Sequence, residues 1–391
     1  MKIVKFSYMY LFFSYILFYI FANGLTQAIK WSSIFFLLII LLFCVKEGIP
    51  RKDMPGINSW IFLFFFNILC LITSMGAIDF NSSIKTLVGL NLYFVIYYLG
   101  AYKIGVSKNE IVAFNNIIII ISLLFIFYAF FNNPSLTNSQ FHTYFYERIR
   151  VFGTFIHPNY LGGLCFVNLI ASFINWRLVD SKKRWYVFSI ILFACFLVLS
   201  DSRGGLYSFL IFLAVFYFQQ VIFKIRGSLL KVSIIVISAG MLIGLVSLLY
   251  NFLDAIIGNR QLINSFTSGR IDNWDYILHN FILGDKFQFF FGHGLSSVQQ
   301  LVSLKVNTDN GFLVMLYEIG LFSSILIIFL LIYLLIRNLV NNNWSIFGIP
   351  VFCSYITYTF FENFLLNFGH IVPFYCWSLL FIGLFKSSKE Q

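Results

Sequence analysis

Three apolar runs, 111–131, 232–250 and 311–336, each approach or exceed the roughly 20 residues that cross a bilayer core as a helix. A soluble domain needs roughly a quarter of its residues charged to face water. Only 10% are charged here, while 60% are hydrophobic and 21% aromatic. The chain therefore takes lipid as its solvent.

The spacing of such runs predicts an all-α polytopic membrane protein with about a dozen transmembrane helices in one domain, 1–391. They are expected near 8–23, 27–45, 59–76, 86–104, 111–131, 160–175, 186–200, 204–223, 232–252, 311–336, 345–361 and 369–386. Lys2 and Lys5 precede the first run without a small-residue cleavage site, so it reads as a helix rather than a leader. The net charge of +11 could suggest nucleic acid, but its distribution argues for membrane topology. Lys and Arg mark cytoplasmic loops. Starting inside, those loops hold Lys46, Arg51, Lys52, Lys103, Lys108, Arg177, Lys182, Lys183, Arg184, Lys224, Arg226, Lys231 and Arg337. Both termini are then cytoplasmic, in the cell membrane.

That orientation puts two long hydrophilic loops, 132–159 and 253–310, on the extracytoplasmic face, with all five histidines on that side or at its edge. Chemistry is expected outside. No phosphate-binding G-x-x-x-x-G-K-[ST] loop or D-x-D pair points to cytosolic nucleotide chemistry. The six cysteines fall inside apolar runs, spaced for neither zinc nor a disulfide framework, and read as packing residues. No internal repeat of the transporter kind is evident.

Four clusters on the outer side stand out, because a charge in a membrane helix costs about 2.5–3.5 kcal/mol on insertion scales and needs a partner or a wet cavity. The first joins Arg148, Arg150, His157, Pro158 and Asn159 at a helix mouth, where free N–H groups could meet an anion; interfacial anchoring is the plainer reading. The second is the tight link Ser200-Asp201-Ser202-Arg203-Gly204-Gly205. There Asp201 could simply tie Arg203, and the glycines could simply permit the turn. The third is Thr267-Ser268-Gly269-Arg270, opening an amphipathic stretch with apolar residues at 271, 274, 278, 281 and 282. It predicts a helix lying on the membrane surface. A cation in its first turn opposes the helix dipole and hints at an anion. Beyond it, His293 in a Gly-rich turn reads as solvated. The fourth, Asp309-Asn310-Gly311, opens a helix, with Glu318 more than two turns further in and Gly320 beyond. Asp309 as a plain N-cap competes with a catalytic reading.

Taken in order over 148–323, these motifs resemble the superfamily of O-antigen ligases and O-antigen or capsular polysaccharide polymerases. Its ligases carry His-[Asn/Ser/Gln], nine residues, then Gly-x-x-[Gly/Thr/Tyr]. Here Asn310, nine residues and Gly320 keep the register, Asp309 stands in the histidine's place, and Ser323 departs at the last position. These departures favour a polymerase.

The resemblance implies a GT-C-like membrane glycosyltransferase architecture with one large outer loop. It implies a donor of oligosaccharide repeat units on undecaprenyl pyrophosphate, a growing polysaccharide as the other substrate, and inverting transfer without metal or cofactor. Flippase and chain-length-regulating partners follow from the same likeness. Arginines gripping the lipid pyrophosphate would correspond to Arg150, Arg203 and Arg270, and Asp309 would be the base. Arg148, His157, Asn159, Asn310 and Glu318 complete the candidate substrate-binding set. A ligase acting on another acceptor, or a flippase with its arginines along a two-sided path, are the rival readings.

Overall fold

The computed structural model describes residues 57–77, 79–104, 107–132, 158–181, 183–224, 270–283, 285–297, 309–340, 344–366 and 370–384. The expected helices 8–23, 27–45 and 232–252, and most of both long loops, lie outside these residues, as do Arg148, Arg150, His157 and Ser268. Among the described residues the structure is helical, without strands. The helices are α1 (Ile57–Met75), α2 (Phe80–Ile104), α3 (Lys108–Asn132), α4 (Pro158–Leu178), α5 (Lys183–Leu199), α6 (Arg203–Lys224), α7 (Arg270–Leu283), α8 (Lys286–Phe291), α9 (Gly311–Val340), α10 (Ser345–Phe361) and α11 (Ile371–Ile382).

The apolar runs locate most of these to within a turn. The largest departure is α2, which begins six residues before the expected 86. Asp79 Oδ1 accepts the Ser82 N–H at 3.0 Å, so a capped polar turn precedes the apolar run. Within α3, α4, α6 and α9, the segments Lys108–Phe131, Asn159–Leu178, Arg203–Val221 and Gly311–Val340 are long and apolar enough to cross a membrane. Their outward faces agree: Leu124, Phe127, Phe329 and Ile332 are exposed, as are Val187, Phe188 and Ile191 on α5. Large aromatic and aliphatic side chains on an outer surface suit lipid, not water.

At the centre stands α11, apolar all round and buried along its whole length. It packs against α2, α4, α9 and α10. Phe94 of α2 meets Trp377 edge-on at 5.7 Å, and Trp377 Nε1 donates to the Tyr355 hydroxyl of α10 at 2.9 Å. That hydroxyl in turn donates toward the Phe364 and Leu365 carbonyls, pinning the segment after α10 against the core. A second buried network fixes α3, α4, α5 and α11 in register. Asn115 Nδ2 donates to Asn175 Oδ1, Asn175 Nδ2 to Asn116 Oδ1, and the Tyr186 and Tyr375 hydroxyls complete it. Hydrogen bonds between helices are a glue that lipid cannot compete for.

One helix is broken. Gly320 in α9 has φ 69° and ψ −178°, and there the segment containing residues 291–297 docks against it. His293 and Gly294 donate their N–H groups to the Tyr317 and Glu318 carbonyls at 2.9 and 3.0 Å, replacing partners lost at the break. Gly292 (φ 86°) and Gly320 abut backbone to backbone, and a Cβ on either would collide with the other's main chain. The same segment is stitched to the ends of α1 and α2: Thr73 Oγ1 donates to the Phe291 carbonyl, and Leu295 N–H to Ser83 Oγ.

Lengths explain why a break is needed. Asn338 packs against Gly348, and Gly311 packs against Glu362 and Leu365, so α9 and α10 touch near both ends. At about 1.5 Å per residue, the path from Gly311 to Asn338 is about 40 Å, while that from Gly348 to Glu362 is about 21 Å. A straight α9 could not make both contacts; the bend at Gly320 takes up the difference.

The candidate site

Four segments remote in sequence converge at the end of the bundle where α4, α6, α7, α9 and α11 begin and α10 stops. Arg270, the first residue of α7, forms an ion pair with Asp309, Nε standing 3.2 Å from Oδ2. Its Nη2 reaches Glu362 Oε1 at 3.5 Å, a looser contact than the usual charge-assisted bond. The same Glu362 oxygen accepts the Asn159 Nδ2–H from the start of α4 at 2.7 Å. The side chains of Arg270 and Asp309 are 17% and 21% exposed, so a ligand can reach both, whereas that of Glu362 is 6% exposed.

Each position has a local cause. Asn310, not Asp309, caps α9: its Oδ1 accepts the N–H groups of Phe312 and Leu313 at 3.0 and 3.1 Å. The capping alternative for Asp309 is thereby removed, and its carboxylate turns to Arg270. On α7, Ile277 and Phe281 are buried, Ile277 in a small cluster with Tyr317 and Leu313, Phe281 against Phe289. Helical spacing places Arg270 and Trp274 on that same face, and the packing of α7 on α9 carries Arg270 to Asp309. The expected apolar stripe is thus divided: Phe281 packs inward, while Leu278 and Ile282 are exposed.

Arg203 opens α6, half-buried, and the glycines after it have a purpose other than the turn. The left-handed residue of the turn is Asp201, φ 47°. Gly204 lies against Phe361 and Glu362: a Cβ there would come within 2.8 Å of Phe361 Cβ and 3.6 Å of Glu362 Oε1. Gly205 faces the Gly162 carbonyl of α4. The absence of side chains brings α6 and the head of α4 close around the carboxylate. Gly163, likewise, leaves room for the Tyr358 hydroxyl and His370.

His370 forms the floor beside this group. It caps α11 through Nδ1, which accepts the Val372 N–H at 3.2 Å, and its ring stacks on Phe364 at 3.7 Å with Tyr160 edge-on at 5.3 Å. His293 is not solvated as expected: it lies flat on the Tyr317 ring at 4.0 Å, and burial lowers its pKa against the pull of the Tyr317 carbonyl.

Of the residues singled out in the sequence, the structure brings Asn159, Arg270 and Asp309 together and sets Arg203 next to the glycine that touches Glu362. Asn310 serves as the cap. Glu318 is half-buried about 10 Å further along α9, at the break, where its carbonyl receives Gly294. Sequence reasoning missed Glu362. The signal was present: a lone carboxylate between two apolar runs, the same charge-cost argument applied to Glu318. Among the described residues no group of three His, Cys, Asp or Glu side chains is placed to hold a metal ion. What the site offers is a guanidinium fork fixed between carboxylates, able to orient a base and meet an anion. No family model matches the chain, and no curated protein matches it at a significant level.

Proposed function

We propose that the protein is a membrane glycosyltransferase that polymerises oligosaccharide repeat units carried on undecaprenyl pyrophosphate, at the outer face of the cytoplasmic membrane. The observation that carries this reading is the Arg270 guanidinium held by Asp309 and Glu362, with Asn159 on the same Glu362 oxygen. A reactive carboxylate and an arginine with further N–H groups to offer stand side by side at one end of an apolar bundle.

The opposite end bears Lys108, Arg177, Lys183, Arg184, Lys224 and Arg337, as the cytoplasmic side of a membrane protein does. The site then faces outward, where a flipped lipid-linked donor would present its pyrophosphate. The segment of α9 after Gly320, 321–340, is about 30 Å long, one hydrocarbon core. The part before it, with Asp309, lies at headgroup depth.

In the proposed reaction an acceptor sugar hydroxyl attacks the anomeric carbon of the donor. Its oxygen forms the new glycosidic bond while the anomeric carbon–oxygen bond to pyrophosphate breaks. The bonding pair stays on the pyrophosphate oxygen, and the hydroxyl proton passes to the Asp309 carboxylate. Arg270 and Arg203 stabilise the charge growing on the leaving group, which needs fixed cations more than an acid. One displacement inverts the anomeric centre. Arg150 is assigned to the same outer site by the family resemblance, and Arg148 and His157 by their place in the same charged cluster of the sequence.

The test is reconstitution. Purified protein in lipid nanodiscs receives undecaprenyl-pyrophosphate-linked oligosaccharide extracted from cells lacking this chain. A ladder of lengthened products is expected, and free undecaprenyl pyrophosphate should accumulate in step with it. Intact donor after prolonged incubation with correctly folded protein would refute the proposal.

A further inference from the structure

We infer that Glu362 is the positioning residue of the site: its one carboxylate fixes Arg270 and Asn159 together, and so holds the arginine in place for the reaction. The inference rests on the glycosyl-transfer reading and deepens it. Several observations carry it. Glu362 is buried at 4% exposure, although an uncompensated carboxylate is costly in such a place. Nothing in the helix requires it there, since it lies one residue past the end of α10 and its N–H closes the last turn on the Tyr358 carbonyl. The fold instead closes around it: a Cβ on Gly204 would strike the adjacent Phe361, and Gly311 lies under the Glu362 carbonyl. The segment that carries it is anchored by the Tyr355 hydroxyl, itself held by Trp377 of the central helix. A chain of buried contacts thus runs from the core to Glu362, then to Arg270, then to Asp309.

The geometry also assigns a division of labour. The side chain of Asp309 is more than three times as exposed as that of Glu362, 21% against 6%, so Asp309 meets substrate and Glu362 acts through Arg270. Substituting Glu362 by Gln keeps its shape and an oxygen to accept from Asn159, but removes the charge that holds the guanidinium.

The experiment uses the full chain in nanodiscs with the extracted lipid-linked oligosaccharide. Glu362→Gln is expected to lower kcat by about tenfold or more while donor KM moves much less, the signature of an interaction needed chiefly in the transition state. Glu362→Asp, with the charge restored one methylene short, should recover part of the loss. In the double variant Glu362→Gln/Arg270→Lys the losses should not multiply, because both act on one guanidinium.

Asn159→Ser, which removes only the 2.7 Å bond, should give a smaller fall in kcat that disappears in the Glu362→Gln background. Wild-type kcat in Glu362→Gln, or losses that multiply with Arg270→Lys, would overturn the inference while leaving the function intact. If Glu362→Gln does not fold, Asn159→Ser decides: an unchanged kcat there overturns it. A wild-type protein that makes no ladder fails the functional reading itself, and the inference falls with it.

Discussion

Arg270 Nε lies 3.2 Å from Asp309 Oδ2, although Arg270 opens α7 and Asp309 stands two residues before α9, which it does not cap. The neighbouring Asn310 satisfies two of the free N–H groups of α9, which leaves the Asp309 carboxylate for the chemistry proposed above.

That division makes the first prediction. Asn310→Ala should cost about 1 kcal/mol of stability through the lost cap. Asp309→Asn should leave thermal stability nearly unchanged while polymer formation falls by about two to four orders of magnitude. Melting curves and product ladders on the same preparations check both. Activity retained by Asp309→Asn would remove it as the base.

Arg270 is predicted to matter for charge and for shape. Arg270→Ala takes the guanidinium from beside two carboxylates and should cost about 2–3 kcal/mol, below the value for a fully buried pair because the arginine and Asp309 keep some solvent. Arg270→Lys keeps the charge without the fork and should recover most of that stability but little of the activity. Chemical denaturation set against polymer yield separates the two effects.

Gly320 and Gly292 meet where neither can carry a side chain. Gly320→Ala would need a left-handed residue and would strike the Gly292 backbone, so a loss of about 2 kcal/mol or more is expected. An Ala at Gly89, where a Cβ meets nothing within 4 Å, serves as the harmless comparison in the same melting assay.

Stability should also depend on pH through His293, outside the spans. Burial depresses its folded-state pKa below the unfolded value of about 6.5, so the unfolded chain binds the proton more readily. The stabilisation is complete above about pH 6.5 and is lost progressively as pH falls from there toward the depressed value. His293→Asn should flatten the acid side of a melting temperature–pH profile. An unaltered profile would show that His293 takes no part.

Much of the helix order was legible because lipid imposes a simple rule: about 20 apolar residues in succession are a span. The limits 345–361 follow from it to the residue. The start of α2 did not, because Asp79 and Ser82 begin the helix in polar sequence before hydrophobicity rises. The amphipathic stretch after Arg270 was visible, but a single stripe was assumed. In the structure Ile277 and Phe281 serve α9 and α8, while Leu278 and Ile282 face outward. The pairing of Arg270 with Asp309 and Glu362 could not be read from spacing, since the partners lie 39 and 92 residues away. Only chain topology brings them together. Glu362 itself was readable as a misplaced charge; its partners were not.

The bend at Gly320 hands the stretch of α9 nearest Asp309 to the strap at 291–297, whose N–H groups take the Tyr317 and Glu318 carbonyls. Because that strap is also bonded to the ends of α1 and α2, a change in its length would move the carboxylate and those helix ends together. On the glycosyl-transfer reading proposed above, one short peptide at 291–297 would then help to set which acceptor fits.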